Sequence, residues 1–136
     1  MSPDGRWLAY VSEESRRAEI YLKPYPGPGD VVQVTTEGGR EPVWDPTGKA
    51  LYYRDDAGHR VFKVSIQTQP VVQVGNPALV IEGRFTGGSR AGRNHDISPK
   101  GDFFIMIEEE EPPPVTQINV VLNWSEELKR FGAARR

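Results

Sequence analysis

The sequence predicts an all-β fold, and three observations carry that prediction. Gly 14 and Pro 12 among 136 residues fall as punctuation between short β-branched and aromatic runs, the way a turn-rich β chain is written. A ten-residue pattern appears twice, "GREPVWDPTG" from Gly39 to Gly48 and "GRNHDISPKG" from Gly92 to Gly101, and its tail "SPDG" opens the chain at Ser2 to Gly5. Each Pro-x-Gly is followed by an apolar run: "RWLAYVS" from Arg6, "KALYYRD" from Lys49 and "DFFIMIE" from Asp102.

The turns come first in the order of elements. Proline sets φ early in a turn and glycine supplies a positive φ, so the chain reverses tightly at each copy. After each apolar run comes a polar loop and a second strand: "AEIYLKPY" from Ala18, "RVFKVSIQ" from Arg60 and "TQINVVLNW" from Thr116. Three hairpins of one construction follow, with further strands at "VVQVTT" from Val31 and "ALVIEG" from Ala78. The first strand of each hairpin is apolar on both faces: Trp7, Ala9 and Val11 against Leu8 and Tyr10, and Phe103, Ile105 and Ile107 against Phe104 and Met106. Such a strand is covered on both sides.

Small sheets stacked around an axis provide that cover, and the turns at Pro3, Pro46 and Pro99 are spaced by 43 and 53 residues, near the period of four-stranded blades. The expected architecture is therefore a partial β-propeller of about three four-stranded blades in a single domain, residues 1–136. Blade one spans 1–38, blade two 39–86 and blade three 87–124, with a short C-terminal helix at 125–131. "REPVW" and "RNHDIS" are the inner strands of blades two and three. Met1 stands in the slot of Trp44 and Ile97, so the first blade lacks its inner strand. The last lacks its outer strand, because Asn123 and Glu126 form a capping box there and Trp124, Leu128 and Phe131 share a helix face. Propellers close with about four to eight blades, so this arc is not expected to close alone.

Charge and composition exclude several roles. Seventeen basic against 19 acidic residues, a net charge of −2, offer no general attraction to nucleic acid or to an anionic membrane. No apolar stretch is long enough to span a bilayer, and no leader pattern opens the chain. With Cys 0 there is no disulfide and no thiolate metal site, and the compartment stays open between an extracytoplasmic and a cytoplasmic parent.

The turn motifs carry a resemblance. Ser2-Pro3-Asp4-Gly5 with Ala18-Glu19-Ile20-Tyr21 resembles the WD40-like PD40 repeat of TolB-type propellers, with Asp45-Pro46-Thr47-Gly48 and Ser98-Pro99-Lys100-Gly101 as further copies. The chain as a whole, ending in "INVVLNWSEELKR" from Ile118, resembles the C-terminal propeller segment of some bacterial serine/threonine protein kinases. The resemblance implies a fold and leaves function open, since related repeats serve in translocation systems, in peptidase accessory domains and in sensors.

No catalytic residue is expected. Gly87-Gly88-Ser89-Arg90-Ala91 resembles a nucleophile elbow but lacks the strand-turn-helix context, and it lacks the ending of a phosphate loop; it reads as a connection between blades. His59 reads as solvated, and His95 as a hydrogen-bonded structural residue, because His95 and Asp96 point to opposite faces and make a poor metal pair. Glu108 to Glu111 read as a solvated loop and Asp55 and Asp56 as turn residues. Arg84, Arg90 and Arg93 lie among glycines, an arrangement able to hold an anion, yet read more simply as a soluble connection.

The expected function is thus a non-catalytic binding or scaffold module without cofactor or metal. Its contacts are placed at the channel mouth, on Arg40, Glu41, Arg93, Asn94 and Asp96, where inner strands begin. The expected partners are a second copy of the chain, two arcs making six blades head to tail, and a protein or peptide, with no nucleic acid and no membrane. The alternative is an accessory or substrate-gating segment of a larger kinase, peptidase or hydrolase.

Overall fold

The Pro-x-Gly turns are the units on which the fold is hung. In the computed structural model, which describes residues 1–86, 93–110 and 116, Gly5, Gly48 and Gly101 have φ of 73°, 72° and 74°. Glycine enters that left-handed region without the steric cost of a Cβ. Each of these glycine amides donates to the carbonyl three residues back, on Ser2, Asp45 and Ser98, at 2.9, 2.8 and 2.9 Å. A second bond closes each loop, from the amides of Ser2, Asp45 and Ser98 to the carbonyls of Trp7, Ala50 and Phe103. "DDAGHR" builds the same turn without a proline: Gly58, φ 77°, donates to Asp55, and the Asp55 amide donates to Arg60.

Between the turns, the described residues run as antiparallel strands in three sheets. The first contains β1 (Trp7–Ser12), β2 (Glu19–Pro24) and β3 (Val32–Gln33), paired in that order. The second contains β4 (Arg40–Trp44), β5 (Ala50–Arg54) and β6 (Arg60–Gln67), again consecutive. The far edge of β6 is shared by β7 (Gln73–Val74), which pairs with Ile66 and Gln67, and β8 (Ala78–Glu82), which pairs along Arg60 to Lys63. The third sheet is β9 (His95–Ile97) with β10 (Phe104–Met106). The protein is all-β, as the turn-rich composition predicts.

Packing between sheets follows the alternation of side chains along each strand. Ile20, Leu22 and Val34 of the first sheet form one core cluster with Trp44, Leu51, Tyr53, Val64 and Ile66 of the second, and Trp7 and Ala9 pack against its edge. Each such side chain taken from water is worth about 1.5–3 kcal/mol, so the layer holds the two sheets together. The opposite face of the second sheet meets the third through Tyr52, whose ring stands edge-on to Phe104 with centroids 4.9 Å apart.

The turns repeat this stacking. A Cβ added to Gly48 would stand 3.5 Å from Pro3 Cδ, and one added to Gly101 would stand 3.6 Å from Pro46 Cδ. Each proline therefore lies on the glycine of the next turn, in one direction along the molecule.

One expectation needs correction. Burial on both faces of the first hairpin strand holds for β5, every residue of which is buried, but not for the other two. In β1 most residues are half-buried and Val11 is exposed, while Phe103, Ile105 and Ile107 are 56%, 63% and 55% exposed. The reason is positional: only the second sheet has a described sheet on each side. The C-terminal helix at 125–131 and the second strand of the third hairpin beyond Thr116 lie outside the described residues, as does the glycine-rich connection at 87–92.

Candidate functional site

The repeat "GR" places Arg40 and Arg93 at equivalent starts of β4 and just before β9, but their surroundings send them to different work. The Arg40 Nε donates to Asp56 Oδ1 at 2.7 Å, and its Nη2 donates to Glu13 Oε1 at 3.2 Å. It thereby ties the β1–β2 loop to the β5–β6 turn, and the hydrogen bond from Asp56 raises its already high pKa. Arg93 is exposed and pairs with Asp96 at 3.5 Å, itself exposed. Asp96 Oδ1 also accepts from the Ile97 amide at 2.9 Å.

The next residue, Glu41, turns inward. Its φ is 52°, outside the region favoured by a non-glycine residue, and the β4–β5 register shifts between Arg40 and Val43. This bulge re-aims the side chain, a common use of bulges near sites. Glu41 Oε2 receives the Asn94 amide at 2.9 Å and lies 3.1 Å from His95 Nδ1 and 3.5 Å from Arg54 Nη1. Glu41, Arg54 and His95 are all buried, so the third sheet is joined to the second through an ionic cluster held away from water.

Arg54 is the part of this cluster that sequence reasoning missed. It ends the apolar run "ALYYR" and is fully buried. Its Nε donates to Gly58 O at 3.1 Å, its Nη2 donates to Thr86 O at 2.6 Å and also to Gly58 O. A cation ending a two-sided apolar strand is the signal that was present. A second missed residue, the carboxylate Glu19, is buried in the first sheet and accepts from Arg17 Nε at 2.9 Å and from the Gly38 amide at 3.1 Å.

The cluster is built for cohesion more than for proton transfer. Burial pushes the His95 imidazole below its ordinary pKa, assisted by Arg54 and Arg93 and opposed by Glu41, so the ring is neutral near pH 7. His95 Nε2 is buried with no hydrogen-bond partner, as is Trp44 Nε1. No described hydroxyl hydrogen-bonds to His95. No group of three or more His, Cys, Asp or Glu able to hold a metal occurs among the described residues either. His59 is exposed in its turn.

Of the five channel-mouth candidates, the structure brings Glu41 and Asn94 into contact and pairs Arg93 with Asp96, and it directs Arg40 to the neighbouring loops. Arg93 and Asp96 border a shallow groove of about 240 Å³. Met1, Trp44 and Ile97 line it together with Pro3, Pro46 and Pro99, so equivalent residues of the three repeats border one groove. A larger cleft of about 910 Å³ lies between the first turn and β6, lined by Ser2, Thr47, Lys49, Ser65, Thr68 and Gln73 among others. Arg84 shares a hollow with Glu108, Glu109 and Glu110, surroundings that disfavour an anion.

No protein-family model, curated protein or solved structure matches the chain.

Proposed function

We propose that the chain is an arc of a β-propeller that acts as a non-catalytic binding and scaffold module and associates head to tail with a second copy to complete a ring. The observation that carries this reading is the repeated stacking of Pro3 on Gly48 and of Pro46 on Gly101. A single contact used twice in one direction relates successive sheets by a common step, which is how blades are arrayed about an axis. The meeting of equivalent residues of the three repeats at the Arg93 groove supports the same geometry. Arg40, Glu41, Arg93, Asn94 and Asp96 then mark the side on which inner strands begin, where propellers present ligand-binding loops. Arg93 and Asp96 are the exposed contacts for a protein or peptide segment, with Arg40 beside the neighbouring loops and Glu41 holding the Asn94 amide next to Arg93.

The test is a screen of displayed linear peptides, followed by affinity measurement on any hit. Replacing Arg40 and Arg93 together by Ala is expected to weaken a bound peptide at least about tenfold, near 1.4 kcal/mol, while the unfolding midpoint stays within the range of surface changes. Unchanged affinity would overturn the placement. Saturable turnover in a hydrolase and glycosidase substrate panel would overturn the non-catalytic reading.

A further inference from the structure

We infer that the partner copy docks through one defined contact: Phe103, Ile105 and Ile107 of one chain pack on Leu8 and Tyr10 of the other, with Pro99 seated over Gly5. This rests on the stacked-sheet reading above and names the surfaces that it uses.

When the three turns are aligned, Trp7, Ala9 and Val11 fall in register with Ala50, Tyr52 and Arg54, and with Phe103, Ile105 and Ile107. The first two sets face the following sheet. Trp7 and Ala9 pack on the core cluster that contains Leu51 and Tyr53, and Tyr52 meets Phe104. The third set occupies the same position and is more than half exposed at each residue. Leu51 and Tyr53 are in turn equivalent to Leu8 and Tyr10, and Phe104 is equivalent to Leu51. Among the described residues, the face that receives a preceding sheet is thus occupied in the second and third sheets, while in the first Leu8 and Tyr10 are half-buried and no described sheet packs on them.

The turns mark the same two ends. Gly48 and Gly101 each carry a proline from the previous turn, whereas nothing lies within 4 Å of a Cβ added to Gly5. Pro99 is the equivalent of these two seated prolines. Leu8 pairs across the strands with Lys23, whose ammonium stands 6.0 Å from the Tyr10 ring centroid, while Ile105 pairs with Asp96, which Arg93 partners at 3.5 Å. Two apolar faces, each equivalent to one side of a junction already formed between neighbouring sheets, fit each other in a second copy better than they fit water.

Used twice between two chains, this heterologous contact closes under a two-fold rotation. Three sheets from each chain give six around the axis, within the range at which propellers close.

The experiment measures mass in solution by sedimentation equilibrium, on the wild type, on Ile105→Lys, on Tyr10→Glu and on an equimolar mixture of the two variants. The wild type is expected at twice the chain mass of 15.2 kDa and each variant at the chain mass. The mixture returns to the doubled mass, because the introduced lysine meets the introduced glutamate at one junction and the other junction is unaltered. Both substitutions are on exposed or half-exposed faces, and a near-native circular dichroism spectrum confirms that the variants are folded. A wild type that stays at the chain mass across the micromolar range overturns the contact, and so does an oligomer that survives Ile105→Lys. An oligomer that survives Ile105→Lys leaves the ring reading standing, whereas a wild type at the chain mass overturns that reading as well.

Discussion

Glu41 concentrates the chemistry of the molecule at the scale of single residues. Its carboxylate balances a fully buried guanidinium on Arg54 and receives the Asn94 amide, so its charge is needed more than its shape. Removing one partner of a buried ion pair leaves the other charge uncompensated, at a cost of about 3 kcal/mol. Glu41→Gln is expected to destabilise the fold by that amount in chemical denaturation, and Glu41→Gln combined with Arg54→Met by less than the two changes summed. Additive effects would contradict the coupling.

His95 gives the pH dependence of the same cluster. The groups that face it are Glu41, Arg54 and Arg93, and its folded pKa lies below the unfolded value of about 6.5. The unfolded chain therefore takes up a proton first as the pH falls. The stability contributed by the neutral, buried ring is present above about pH 6.5 and is lost as the pH drops toward the folded value. His95→Gln should flatten the slope of unfolding free energy against pH in that window; parallel slopes in variant and wild type would contradict the assignment.

Among the elements, the turns are the parts most legible in the sequence. Pro-x-Gly specifies φ at both of its ends, and Gly5, Gly48 and Gly101 adopt nearly one value. Gly48→Ala is expected to cost about 1 kcal/mol, the price of a Cβ in the left-handed region. The added carbon would meet Pro3 at only ordinary contact distance. Gly48→Asn, which tolerates that region better, should cost less, and equal costs measured by thermal unfolding would point to a clash instead. Strand β5 was legible because its apolar run is long and flanked by turns. Strand β7 was not: two residues pair with β6 only where β6 runs on past β8, a matter of tertiary length with no local pattern. Arg54 and Glu19 escaped for a related reason. A charge in sequence reads as solvent-facing, and only the assembled backbone supplies the Gly58, Thr86 and Gly38 groups that satisfy them.

For the molecule as a whole, what matters is that its sheets are not equivalent although their sequences repeat. The second sheet is covered on both faces and is the most buried; the first and third each present one face to solvent. The repeat predicts cover for all three, and the described residues supply it for one. In the proposed ring, a second copy covers the exposed Phe103, Ile105 and Ile107 and removes the inequality. The measurement that tests this most directly is an experimental structure of the assembled protein. The account predicts six sheets about one axis, with Pro99 of each chain over Gly5 of the other. Three sheets from a lone chain, with Phe103, Ile105 and Ile107 in solvent, would contradict it.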